Sequence, residues 1–153
     1  MVKNKSFGSV SAKLLCSIAF ILLVGCTASP PSLTQPYSQL MAQKEACFER
    51  AKNGVHSFPE SQWLRSLTEK DQKQVLSYLA QYAYNLCISE EVKVVKMSLA
   101  KQSDDIQLFF NQYVGLHEFK QEPPKGIDRV ELNILQNVIK QPFIANEIYE
   151  SIN

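Results

Sequence analysis

Histidine, tryptophan and glycine are scarce in this chain of 153 residues, which holds 2, 1 and 5 of them respectively. With only His56 and His117 to draw on, a centre built on several imidazoles has no material. Few glycines, and 7 prolines, exclude collagen-like and low-complexity architectures. The patterns Gly-x-Ser-x-Gly, His-Glu-x-x-His and Gly-x-x-x-x-Gly-Lys do not occur, and neither does an EF-hand loop. Charge of one sign is missing too. The 16 Lys and Arg stand against 15 Asp and Glu, a net of +1, without the basic excess of a nucleic-acid binder.

Two adjacent acid pairs, Glu90-Glu91 and Asp104-Asp105, come nearest to a catalytic arrangement. A glycosidase needs its carboxylates on opposite sides of a cleft. Both pairs instead stand where a helix start is expected, and there negative charge complements the helix dipole. His56 and His117 both fall in expected loops. The sequence therefore reads as a protein without enzymatic activity, cofactor or small-molecule substrate.

Apolar residues are plentiful, 45 % of the chain, so one domain with a real core is expected. The first 25 residues are a different matter. Lys3, Lys5 and Lys13 precede an apolar run from Leu14 to Val24, and Gly25-Cys26 follows. Eleven apolar residues make a helix of about 16 Å, short of the ~30 Å hydrocarbon core of a bilayer. A positive start, a short apolar run and a small residue at the exit describe an export signal.

Leu23-Val24-Gly25-Cys26 resembles the lipobox of bacterial lipoproteins. The resemblance implies cleavage before Cys26, a diacylglycerol thioether on its sulfur, and an amide-linked acyl chain of the palmitate class on its nitrogen. Several acyl chains together give stable anchoring, at about 0.8 kcal/mol per buried CH₂. An ordinary signal peptide cut after a later small residue, such as Ala28, is the alternative. In that family an Asp after the Cys retains the protein in the inner membrane. Thr27 stands there, which implies the outer membrane, periplasmic side, with the inner membrane as the alternative. Removing residues 1–25 leaves 128 residues and takes away three lysines and no acid, so 13 basic and 15 acidic side chains remain.

Of the 4 cysteines, Cys16 leaves with the signal and Cys26 is the expected lipid site. Cys47 and Cys87 remain, an even pair in an oxidising compartment, and a disulfide between them is expected. A zinc site is the rival reading, but close Cys or His pairs are missing.

Residues 26–36, rich in Pro, Ser and Thr, read as an extended tether that holds the domain some ~30 Å from the membrane. Residues 37–153 read as one all-α domain, a bundle of about five to seven helices. Tyr37, Leu40, Met41, Cys47, Phe48 and Ala51 recur at helical spacing, and Asn53-Gly54 supplies a stop with Gly in a left-handed conformation. Ser57-Phe58-Pro59-Glu60 reads as a capping box opening a short helix through Trp63, Leu64 and Leu67. Thr68-Glu69-Lys70-Asp71 opens the clearest helix, with Val75, Leu76, Leu79, Tyr82, Ala83, Leu86 and Cys87 on one face. Tyr78 and Tyr84 fall off that face. Ser89-Glu90-Glu91 either restarts or continues the helix. Ser103-Asp104-Asp105 opens another, carrying Ile106, Phe109, Phe110 and Tyr113 and ending at Gly115. A loop over 117–126 follows. Asp128-Arg129-Val130-Glu131 is the next capping box, leading into Leu132, Leu135, Val138 and Ile139, and Pro142 separates a last helix.

A lipid-anchored helical module of this kind is expected to act by binding another envelope protein. It is similar in architecture to secretin pilotins, small lipid-anchored assembly factors that take a partner's amphipathic helix in a groove between their own helices. Cys87-Ile88-Ser89-Glu90 is also similar to a short segment of one family of immunity proteins, which block exported toxins. A structural envelope lipoprotein is the third reading. An assembly factor calls for an apolar groove between helices. An inhibitor calls for a protruding loop or an acidic patch, and the loop over 117–126 is its candidate.

Overall fold

In the computed structural model of the protein, residues 32–114, 116 and 121–153 are described. Six α-helices and no strand occur among them: α1 Thr34–Lys52, α2 Gln62–Ser66, α3 Glu69–Leu99, α4 Asp104–Phe109, α5 Arg129–Val138 and α6 Ala145–Ile152. A 3₁₀ turn, Gly54–Ser57, follows α1, and a π-helical turn, Phe110–Val114, continues α4. The expected signal segment, Cys26, Gly115 and His117 lie outside the described residues.

Local chemistry sets most of these boundaries. The Thr68 hydroxyl accepts the Asp71 N–H, and Asp128 accepts the N–H groups of Val130 and Glu131, so α3 and α5 begin where their capping residues stand. α2 differs from the expectation. Its cap is Ser61, whose hydroxyl accepts the Leu64 N–H. The Ser57 hydroxyl is engaged elsewhere, donating to the Gly54 carbonyl and accepting from Gln141. α1 begins earlier than expected, at Thr34, and takes three residues from the tether. Pro36 fits in this first turn because its missing N–H would have had no intrahelical acceptor.

α3 runs through Ser89-Glu90-Glu91 without a break, for 31 residues or about 46 Å. It contains no Gly or Pro, and Lys93 pairs with Glu90 one turn away at 2.6 Å. Of the two expectations for Ser89-Glu90-Glu91 the helix takes continuation, so Glu90 and Glu91 are helix-interior residues, which corrects the placing of this acid pair at a helix start.

Two apolar clusters lie at opposite ends of α3. Toward its N-terminal half, Val75, Leu76, Tyr78, Leu79 and Ala83 pack with Leu64 of α2, Leu132 and Leu135 of α5, Phe143, and Ile148 of α6. Toward its C-terminal half, Ile88, Val95 and Leu99 pack with Leu40 and Cys47 of α1 and with Leu116. Wrapping by α2, α5 and α6 widens the buried arc of α3 beyond one stripe. Tyr78 is consequently buried, whereas Tyr82 is only half-buried, the reverse of the expected order. Leu40, Cys47 and Ala51 form the inner face of α1, and their sequence neighbours Met41 and Phe48 are exposed. Leu86, expected on the buried face of α3, is exposed as well.

The Cys47 and Cys87 sulfurs are 2.09 Å apart, the length of a covalent bridge, joining the C-terminal halves of α1 and α3. Beside it the Gln43 side-chain amide donates to the Cys87 carbonyl at 2.9 Å. Gln72 is the buried polar side chain of the first cluster. Its amide donates to the carbonyls of Leu64 and Arg65 at the end of α2, where the Leu64 carbonyl also accepts the Leu67 N–H.

The Asn53-Gly54 stop works by a different mechanism from the one expected. Gly54 does not adopt a left-handed conformation. A Cβ there would lie 2.4 Å from the Pro142 carbonyl oxygen and 2.7 Å from the Phe143 Cα, so glycine is required by close packing. Among the described residues the left-handed glycine is Gly126, at φ 78°, just before α5.

Candidate interaction surface

α4 is six residues long and buries none of them. Asp104 and Asp105 occupy its first turn, where negative charge complements the exposed N–H groups. Ile106, Phe109, Phe110 and Tyr113 share one face at helical spacing, as expected. The π-helical turn then changes the direction of that face. Phe110 turns inward against the second cluster, while Phe109 and Tyr113 remain 54 % and 68 % exposed.

Opposite them stands the first turn of α1. Leu33 and Tyr37 from this side, with Ile106, Phe109 and Phe110 from the other, line an open groove of about 470 Å³ whose walls are mostly apolar. The aromatic rings form a chain. Tyr37 meets Phe110 edge-on at 5.6 Å, Phe110 meets Phe109 at 6.0 Å, and Phe109 meets Tyr113 at 5.3 Å. The first two pairs are edge-on and the third is tilted, and edge-on pairs fix ring orientation as well as burying area. Asp105 reaches the groove, so the rim carries negative charge.

A second, larger cleft of about 670 Å³ lies between α3 and residues 121–125. Lysines and acids of both chains of residues alternate along it, and Lys73 is already committed to Glu69 at 2.5 Å and to the face of Tyr149. That pairing holds the Glu69 carboxyl below its usual range and the Lys73 ammonium above its own. Tyr84, half-buried in the second cluster, is pushed up by burial and secondarily by Glu45.

The remaining sequence candidates are scattered. His56 is exposed in the 3₁₀ turn, and Cys26 and His117 lie outside the described residues. Among the described residues, no three His, Cys, Asp or Glu side chains gather as metal ligands. No helix among them is long and apolar enough to cross a membrane. Of the loop over 117–126, the described part carries half-buried Pro123 and Pro124 and leads into buried Ile127.

Leu33 and Tyr37 were not legible as site residues, because Leu33 fell in the expected tether. A second surface also escaped the sequence. α5 buries Leu132, Leu135 and Ile139 as expected, yet Val130, Ile134 and Val138 form an exposed stripe on its other side. Val138 thus departs from its expected inward position.

The chain matches no known protein family, no curated protein and no solved structure.

Proposed function

We propose that this is an envelope lipoprotein, acylated on Cys26 and held on the periplasmic side of the outer membrane, that acts by binding a protein partner. Within that class we assign it to assembly or accessory factors of the pilotin kind. The observation that supports this reading is the aromatic groove between α1 and α4. Its apolar walls suit the apolar face of an amphipathic segment, and Asp105 on its rim suits a basic residue flanking that face. Inhibition of an exported toxin or cell-wall hydrolase is the competing reading.

The test is affinity capture from the bacterium's own envelope extract, comparing the mature protein with a Phe109→Ala/Tyr113→Ala variant. Both side chains are largely exposed, so the variant should keep its stability within about 0.5 kcal/mol. A secretin or pilus component retained by the parent, and at least about tenfold less by the variant, is expected, equivalent to roughly 1.4 kcal/mol. A toxin or hydrolase retained equally by both would overturn the assembly role. Anchoring is tested separately: Cys26→Ser should release the protein from membranes in a carbonate wash.

A further inference from the structure

We propose that Cys87 is a site of thiol exchange: an external thiolate attacks its sulfur, and Cys47 is the sulfur that leaves. The two halves of the bridge stand in different surroundings. Cys47 is fully buried, whereas Cys87 is half-buried. A cleft of about 170 Å³ lies between α1, α3 and the segment that follows α5, and of the two cysteines it reaches Cys87. Leu86, Ile139 and Pro142 give it apolar walls, and Arg50 and Lys140 bring positive charge. No Asp or Glu is among the described residues that line it. Exchange depends on which sulfur can be reached, and the cleft selects Cys87.

Arg50 supplies the other half of this polarity. Its Nε donates to the Ala46 carbonyl at 3.3 Å, which orients the guanidinium, and its Nη2 donates to the Cys47 sulfur at 3.4 Å. A cation on a cysteine sulfur favours the thiolate over the thiol. Arg50 therefore stabilises the charge that develops on Cys47 as the bridge opens, and a more stable thiolate leaves faster. The Gln43 amide beside Cys87 donates to its backbone carbonyl and not to its sulfur. Lys140 donates to the Asn137 carbonyl of its own chain and keeps its charge, so it adds to the field that draws a thiolate into the cleft.

The step balances with a thiol reductant alone. The entering sulfur bonds to the Cys87 sulfur as the Cys87–Cys47 bond breaks, and the electron pair of that bond stays on Cys47 as a thiolate. A second thiolate, from the same dithiol or from another small thiol, then attacks the reductant's sulfur in the mixed disulfide. Cys87 leaves as a thiolate, and the reductant departs as a disulfide, having given up two electrons. A cleft this small takes a small thiol or a single cysteine side chain on a narrow segment, and its charge favours a thiol carried among acidic groups. The assignment goes beyond the partner-binding function proposed above and rests on different residues.

Glutathione, an anionic thiol, is the probe. The full chain with its bridge oxidised is exposed to it briefly and quenched with acid, and the peptides are mapped by mass. Glutathione should stand on Cys87 at least about tenfold more often than on Cys47. Reduction of the bridge should be at least about threefold slower in Arg50→Gln, and close to the parent rate in Lys52→Gln, which removes the same charge two residues away. A contact that only stabilised the fold would act in the opposite direction, since its loss would loosen the bridge and speed reduction. A Cys47 adduct as abundant as the Cys87 adduct would overturn the assignment. So would reduction of Arg50→Gln at or above the parent rate.

Discussion

Gly54 and Gly126 are both required, for different physical reasons, and substitutions can separate them. Gly54 lies against the backbone of Pro142 and Phe143, and any side chain must displace backbone. Gly126 has open space around its missing Cβ but a left-handed φ of 78°. Gly54→Ala should therefore cost about 1–3 kcal/mol through overpacking, and Gly54→Asn should cost more. Gly126→Ala should cost about 1–2 kcal/mol, and Gly126→Asn less, because Asn tolerates the left-handed region. Urea-denaturation midpoints of the four variants check this. If Asn improved on Ala at position 54, the close-packing account of that glycine would be wrong.

At the scale of elements, the Cys47–Cys87 bridge and the smaller of the two clusters hold α1 to α3. The bridge closes 40 residues of sequence, which the chain-entropy account values at about 4 kcal/mol and practice at roughly 2–4. Cys47→Ala/Cys87→Ala should lose about that much stability. The loss should be uneven. Hydrogen exchange should quicken most in α1 and the C-terminal half of α3, while α6, packed in the first cluster, keeps its protection. Uniform acceleration through α6 would contradict the division into two clusters.

The helices were legible in the sequence to the extent that caps and periodicity determine them. Thr68, Asp128 and the spacing of Val75, Leu76 and Leu79 gave start, start and face correctly. What periodicity could not supply was the neighbourhood of each helix. Tyr78 is buried because α5 and α6 close over a flank that a single stripe leaves open, and those helices follow far later in the chain. Ser61 displaced Ser57 as a cap because the Ser57 hydroxyl pairs with Gln141, 84 residues away. The groove was half legible. Its α4 wall was read as a helix face, without its exposure. The opposing wall depends on where α1 begins, which Thr34–Pro36 concealed by resembling a tether.

For the whole molecule, the arrangement has two ends. One carries α5, α6 and the first cluster. The other joins the start of α1 to α4 and opens the aromatic groove. If Cys26 is the anchor, six residues lie between it and Leu33, and the seven steps span at most about 25 Å of extended chain. The groove then faces partners held close to the membrane surface, and α5 stands toward the other end of a helix about 46 Å long.

The most direct measurement is site-specific photocrosslinking in the intact envelope, with a benzoylphenylalanine in place of Phe109 and, as control, in place of exposed Gln81. The account predicts one protein adduct from position 109, absent from position 81. The crosslinked peptide should carry apolar residues three and four apart with Lys or Arg beside them. Adducts to lipid alone, or the same adducts from both positions, would contradict the groove as the binding site.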